Sequence, residues 1–577
     1  MNTNNQTTST DMGIISQKSL FAYMLAISLI VLASYWGAIP NGFHFDDYPN
    51  FVDVQDMHLS SLDWDQFKMG LEAARIPERV LPNATFIIDW WRGGGNSKAF
   101  QQTNILIHIL NSILLFLFII KILTLKQQPG SSTEKQALAY LAFAFSLLWA
   151  LHPIQLQGVT YVVQRMASMV SLFMLLSTLS YVYARTTTAW HNRFIWLVTS
   201  LFFGFLAFHT KENSWILPLL LLAAEYGVVR HSKQLFRWWF DRYIWLFSGL
   251  TFLYIILDIF IINGPLSVRF GSSGYINRDF NMNERLLTQA RVIWFHLSQL
   301  AFPLPSRFSL EHNFPVSSNL TTPLTTLPAV LGIAAWSLAG FTLLLRKQLR
   351  LYGFLLLAPL ILLIPESTVV ALEIIFEHRF YLPSMIIFTL CAVIAWQLVL
   401  QHNLRILLLV ILSLPVGAVL AYATIQRIPD WRTPISLGQA NVKAASDSAR
   451  AWFNLGHAYR EAGIRESALE NYATAYKLAT NDREVLERLA QEYANYSYYG
   501  NALKIVVRIN QINVRAPLPR HLIWQKEWAD SCDNHLLAAQ ATEALKNKYP
   551  WINTDQITLT TPPKDTALVC ETTLLDK

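Results

Sequence analysis

Apolar residues in this chain come in long unbroken runs, not in alternation, and they cover about its first three quarters. Runs long enough to cross a bilayer occupy residues 20–40, 102–122, 136–151, 158–184, 194–209, 214–229, 243–262, 324–345, 351–371, 380–400 and 406–426, which predicts eleven transmembrane helices. Residues 286–303 are apolar but carry polar residues at intervals, and they predict an interfacial or re-entrant helix. Beyond Arg427 the pattern changes to helical periodicity. Trp452, Leu455, Gly456 and Tyr459 have the tetratricopeptide spacing W-x2-L-G-x2-Y, with Ala468, Tyr472 and Ala475 at the later positions. Leu486, Leu489, Ala490, Tyr493 and Ala502 repeat the pattern 34 residues on, and 520–548 predicts a degenerate capping pair. The fold class is therefore all-α. Its predicted parts are a tail over 1–19, a multispan membrane domain over 20–430, a tetratricopeptide-repeat solenoid over 440–548 and a Thr/Pro-rich tail over 549–577.

Composition agrees with the pattern: of 577 residues, 53% are hydrophobic and 14% charged, where a soluble protein would have about a quarter charged. The net charge of +7 needs no nucleic acid as partner, because much of it falls in short loops between spans. Lys121, Lys126 and Lys135, then Arg185 and Arg193, then Arg230, Lys233, Arg237 and Arg242, then Arg346, Lys347 and Arg350 mark four loops as cytoplasmic, with the N-terminus inside as well. A full crossing at 286–303 would break this alternation. The other loops, and everything after about residue 427, then face outward, which in a bacterium is the periplasm. The first 19 residues lack the charge cluster and cleavage site of a signal peptide, so 20–40 is expected to be a retained first span. Cys391 falls inside a span. Cys532 and Cys570 have no zinc or redox spacing, and a disulfide between them is open if that region is exported.

Charged groups near a bilayer are costly unless they line a wet cavity or do chemistry. In the predicted topology they gather on the outward side: His44, Asp46 and Asp47 after the first span, Arg79 in the first outward loop, His152 at the end of the third, and Gln164 and Arg165 within the fourth. Lys211 and Glu212 lie between the fifth and sixth, and Glu377, His378 and Arg379 open the tenth. A carboxylate can take the proton of an attacking hydroxyl, and arginines and lysines can hold a phosphate. A phosphate leaving group does not need the general acid that glycoside hydrolysis requires. A base with cations at a membrane face therefore fits a glycosyltransferase using a polyprenyl-phosphate donor. Such a monophosphate carries little charge, so no metal is required, although an Asp-Asp pair offers a divalent ion hard ligands. Two other classes share these features: a polymerase or ligase acting on lipid-diphosphate glycans, and a transporter or membrane scaffold whose repeats dock periplasmic proteins.

The ordered series Asp46-Asp47, Arg79 to Phe86, Asn104 to His108, His152-Pro153 with Arg165, Lys211-Glu212 and Arg379 to Ser384, followed by the repeats, resembles the transmembrane-and-tetratricopeptide O-mannosyltransferases. It is also similar to their bacterial relatives, the type IV pilin glycosyltransferases. The resemblance implies a GT-C membrane fold and inverting transfer to Ser or Thr from a lipid-phosphate sugar, with Asp46 as the base. On that reading Asp47 and Glu212 assist, Arg165, Arg379 and Lys211 bind the donor phosphate, and His44, Arg79, His152, Glu377 and His378 position the substrates. The repeats would grip an exported, pilin-like acceptor. The small number of repeats suggests a bacterial inner-membrane enzyme, and the sugar stays open.

Overall fold

The computed structural model describes residues 15–61, 63–229, 275, 278, 280–402, 406–480, 482–512, 518–549, 552 and 569–576. The predicted span 243–262, the basic loop at 230–242 and most of both tails lie outside them. Among the described residues every regular element is helical. They form two compact units, one running to Thr433 and the other made mainly of Pro434–Lys577.

The first unit contains helices α1 (Gln17–Tyr35), α2 (Trp64–Ala73), α3 (Val80–Gly93), α4 (Ser97–Lys126), α5 (Ser132–Ala150), α6 (Leu156–Thr160), α7 (Arg165–Thr186), α8 (Trp190–Phe208) and α9 (Leu217–Ala224). It continues with α10 (Met282–Ala301), α11 (Thr326–Leu345), α12 (Arg350–Leu363), α13 (Tyr381–His402) and α14 (Ile406–Arg427). Seven described segments are long and apolar enough to cross a membrane: Gln17–Ala38, Ser97–Lys126, Val162–Thr186, Trp190–Phe208, Thr326–Leu345, Glu377–His402 and Leu407–Trp431. An eighth is possible if Ser132–Ala150 and Pro153–Thr160, bent by 54°, count as one.

Three predicted spans differ from the structure for local reasons. The run at 158–184 breaks at Tyr161, whose extended backbone frees the Val163 N–H to bind elsewhere. The run at 351–371 is helical only to Leu363, because Pro365, just past the αR residue Ile364, has no N–H to continue the ladder. The run at 214–229 divides into the tight turn Glu212–Ile216, the short α9 and the wider turn Glu225–Val229.

The amphipathic run at 286–303 becomes α10, closed at its start by a capping box between Asn281 and Glu284. It buries a mixed face, with a polar stripe beside the apolar Val292 and Ile293. Arg285, Thr288, Gln289, His296 and Gln299 are buried, while Met282, Leu286 and Trp294 are exposed. The buried polar stripe has a structural task. Arg285 donates to the carbonyls of Glu366, Thr368, Leu372 and Glu373, and Gln289 donates to that of Ile374. These bonds satisfy the non-helical stretch 364–376, which would otherwise carry unpaired carbonyls within an apolar bundle.

The second unit opens with α15 (Pro434–Ala444) and continues as three helix pairs. These are α16 (Ala449–Glu461) with α17 (Arg465–Leu478), α18 (Arg483–Asn495) with α19 (Tyr499–Ile512), and α20 (Pro519–Ser531) with α21 (His535–Lys548). A side chain at Gly456 would meet the ring of buried Tyr472 at 2.6 Å, which is why the motif needs glycine there. The turn inside each pair uses one residue of left-handed conformation, at Gly463, Ser497 and Asp533 in turn, so the degenerate third pair keeps the same joint. Cys532 and Cys570 form a disulfide.

Candidate active site at the ends of the membrane helices

The turn after α1 is clamped from three sides. Asn41 Nδ2 donates to the carbonyl of Ile428 (3.3 Å), the Gly42 N–H to that of Arg432 (3.1 Å) and His44 Nε2 to that of Trp431 (2.9 Å), so the first loop is tied to the end of the last apolar helix. Burial holds the His44 imidazole neutral, with its pKa lowered to about 4 although the Trp431 carbonyl pulls the other way. Phe45 has φ of 39°, a left-handed conformation that costs about 1–2 kcal/mol in a residue with a Cβ. This turn sends the next two carboxylates in opposite directions.

Asp47 points inward and is fully buried. Its Oδ2 accepts the His44 N–H at 2.8 Å, and its Oδ1 accepts the Val163 N–H that the break at Tyr161 releases, at 2.7 Å. Burial pushes its pKa well above the usual carboxylate range, against these two N–H donors. Asp46 is exposed, and its N–H donates to the Tyr161 hydroxyl at 2.9 Å. Beneath the turn, Phe43, Phe51, Phe86 and Phe100 form an aromatic cluster.

Arg165, expected to meet a donor phosphate, caps that cluster from below. Its guanidinium lies 4.7 Å from the Phe86 ring, is fully buried, and pairs with Asp89 at 2.6 Å. Its other donors reach Asn104 Oδ1, Thr85 Oγ1 and the Phe100 carbonyl. In this arrangement Arg165 is a packing arginine, because every arm of its fork is committed inside the protein.

The remaining cations lie around a small cavity. It is lined by Ala167, Ser171 and Met174, spaced along one face of α7, by Asn213, Ile216 and Leu362, and by Glu366, His378 and Arg379. Lys211 pairs with Glu366 at this site, and Arg379 donates to the Glu373 carbonyl at 2.6 Å. Asn213 Oδ1 is buried without a hydrogen-bond partner. The lining thus mixes charged and amide groups with apolar side chains. Arg79 grips Glu212 through two nitrogens, at 2.8 and 3.2 Å, so the expected catalytic Glu212 is engaged as a partner of Arg79.

Of the other expected positioning residues, His152 and Glu377 hold backbone, and His378 is itself held by Gln157. His152 Nδ1 accepts the Ile154 N–H at 3.2 Å and caps a short helical turn. Glu377 accepts the Ser309 N–H at 2.9 Å, and the His378 backbone N–H donates to Gln157 Oε1 at 2.8 Å. The sequence reading missed Asp89, Asn213, Arg285 and Glu366. Of these Asp89, the one acid within Phe86–Trp91, and Glu366, beside Pro365, carry a sequence signal, each being an acid inside an apolar run. Among the described residues no group of three or more His, Cys, Asp or Glu side chains is placed to hold a metal ion.

A bundle of membrane-length helices with a charged site at their ends, followed by tetratricopeptide-type helix pairs, is a class to which proteins of known type can be compared. The chain is similar to protein O-mannosyl-transferases of animals. Protein O-mannosyl-transferase Tmtc3 of Drosophila melanogaster is 25% identical over 564 residues, covering 85% of this chain and 59% of that protein. Protein O-mannosyl-transferase TMTC3 of Homo sapiens is 23% identical over 550 residues, covering 88% and 56%. Protein O-mannosyl-transferase F38B6.6 of Caenorhabditis elegans is 22% identical over 467 residues, covering 79% and 62%. The chain thus spans a little over half the length of the curated relatives it matches. No family model matches it, and no solved structure does.

Proposed function

We propose that the chain is a membrane glycosyltransferase of the GT-C type, akin to the O-mannosyl-transferases it resembles. It would transfer a sugar, mannose being the first candidate from those relatives, from a polyprenyl-phosphate donor to Ser or Thr hydroxyls of an exported, pilin-like protein. The observation that carries this reading is the contrast within one dipeptide. Asp47 is consumed by backbone, whereas Asp46 is exposed on a turn clamped by His44, Asp47 and Tyr161. An exposed carboxylate on a rigid mount is what a general base requires.

In the reaction, Asp46 takes the proton of the acceptor hydroxyl as its oxygen bonds to the anomeric carbon. The bond from that carbon to the phosphate oxygen breaks on the opposite face, and the lipid phosphate leaves with inverted stereochemistry at the sugar. Lys211 and Arg379, beside the cavity, are the cations assigned to the phosphate. The Cys532–Cys570 disulfide supports an oxidising compartment for the second unit, consistent with a bacterial inner-membrane protein whose site and repeats face the periplasm. There the repeats would hold the acceptor protein.

The test is transfer of labelled sugar from polyprenyl-phosphate donor to an acceptor peptide. Asp46→Asn should lower the rate by about 10²–10⁴ with donor binding retained. A variant retaining more than about a tenth of the wild-type rate would remove Asp46 from the role.

A further inference from the structure

The helix break between α6 and α7 does more than serve Asp47. Tyr161, at the break itself, has extended backbone and a side chain that is 3% exposed. Its ring lies 5.7 Å from that of Trp431, the residue whose carbonyl anchors His44, so the phenol is also held from the end of the last apolar helix. The Tyr161 hydroxyl oxygen accepts the Asp46 N–H at 2.9 Å. The Asp46 carboxylate interacts with the same hydroxyl, by charge and by a side-chain hydrogen bond. Residues 161 and 163 thus serve the two aspartates differently. Asp47 receives a backbone N–H, and Asp46 meets a side-chain hydroxyl.

A hydroxyl has one proton and two lone pairs, and an ionised carboxylate can only accept. One lone pair of the Tyr161 oxygen is taken by the Asp46 N–H, so the hydrogen bond between the two side chains runs from the phenol to Asp46. Its direction matters because Asp46 is exposed. Exposed side chains exchange rotamers within picoseconds to nanoseconds, and small misplacements of a reacting group cost rate steeply. A donor that is itself locked by packing keeps one carboxylate oxygen still.

We propose that Tyr161 is a positioning residue for the base: its hydroxyl holds one oxygen of the Asp46 carboxylate and leaves the other to take the proton of the acceptor. The inference rests on the glycosyltransferase reading and adds a second requirement to it, a phenol at position 161. Tyr161 keeps its own proton throughout. The proton of the acceptor hydroxyl ends on Asp46.

The test is a double-mutant cycle on the full chain in detergent, with polyprenyl-phosphate mannose as donor and a Ser/Thr peptide as acceptor. Tyr161→Phe keeps the ring that packs on Trp431. It should lower kcat about 10-fold or more, the scale of one hydrogen bond to a charged group. KM for donor and peptide should stay within about 2-fold, and the melting temperature within about 3 °C. In the Asp46→Asn background the same change should cost less than about 2-fold, because no base is left to hold. A merely structural tyrosine would lower both backgrounds by the same factor. 3-Fluorotyrosine at position 161 keeps ring and hydroxyl but makes the hydroxyl a stronger donor. The carboxylate it holds becomes a weaker base, so transfer should slow several-fold with the melting temperature unchanged. If Tyr161→Phe does not accumulate, this variant decides, and an unchanged rate overturns the inference. Equal kcat in wild type and Tyr161→Phe, or equal losses in the two backgrounds, overturns it as well, while a loss in Asp46→Asn leaves the base reading standing. No transfer by wild type, or an Asp46→Asn rate above about a tenth of wild type, overturns the base reading and this inference with it.

Discussion

Two neighbouring parts of the candidate site carry the same kinds of groups and treat them in opposite ways. On the clamped side, Arg165 and Asp89 are 0% and 3% exposed, and Asp47 and His44 spend their polar atoms on backbone. On the open side, Lys211 and Glu366 keep 13% and 9% exposure at the edge of a cavity, and Asp46 faces outward. Charge alone does not mark a ligand-binding group. What separates the two sides is how far each group is withdrawn from solvent: both sides are hydrogen-bonded, but Asp46, Lys211 and Glu366 keep some exposure where Arg165 keeps none. The clamped side holds the turn in place, and the other side keeps its charged groups at the edge of a small cavity.

The largest expected effect tests the clamped side. Arg165→Met removes the fully buried partner of Asp89 Oδ2 and leaves that carboxylate only Arg92 at 3.0 Å and Thr103 at 2.7 Å, both on its other oxygen, a loss of about 1–3 kcal/mol. The variant should fall in melting temperature before any question of donor use arises. If it stays as stable as wild type and instead loses donor affinity alone, Arg165 belongs with the open side and the comparison breaks.

A smaller effect is expected from pH at His44. The clamped imidazole stays neutral down to about pH 4, while a detached loop would bind a proton near 6.5. Lowering pH through 6.5 therefore favours detachment, and the clamp weakens progressively until about pH 4. At pH 5 the loss amounts to about 2 kcal/mol. Hydrogen exchange at residues 41–47, corrected for intrinsic rates, should rise between pH 7.5 and pH 5 in wild type but not in His44→Gln. Equal pH sensitivity in both would assign the effect to another group.

The mildest change in stability, with the clearest change in binding, is expected on the open side. The double variant Lys211→Met/Glu366→Gln removes both charges together and leaves neither stranded. Its melting temperature should stay within about 3 °C of wild type. Its KM for polyprenyl-phosphate donor should rise roughly 10-fold or more, the scale of one lost charge-assisted hydrogen bond. An unchanged KM would leave Arg379 as the sole candidate for the phosphate.

The sequence could be read wherever structure is local. The spacing around Gly456 is a local pattern, and so is the apolar run of α1 that delivers Asp46 and Asp47 to their turn. The difference between those two aspartates was not legible, because it depends on a helix break at Tyr161 more than 110 residues away. Arg165 and Lys211 look alike in sequence for the same reason: the partner Asp89 lies on another helix, where its spacing to Arg92 suggests only a local pair. Glu366 and Arg285 escaped notice because both sit in or beside apolar runs that read as continuous helix. Their pairing becomes visible only once Pro365 has ended the helix and exposed carbonyls that need a donor.

Helix α7 has one buried ion pair at each end. Arg165 meets Asp89 at its start, and Arg185 meets Glu225 at 2.7 Å at its end, with Tyr181 donating to the same carboxylate. Twenty residues separate the two arginines, a rise of about 30 Å, close to the thickness of a bilayer's hydrocarbon layer. A shift of α7 along its axis by even one residue would break both pairs at once, so the helix has a single permitted height. It behaves as a fixed gauge between the two membrane surfaces. In a bilayer that is too thick or too thin, the lipid and the exposed flanking helices must deform, while the spacing between the two ends of α7 stays constant.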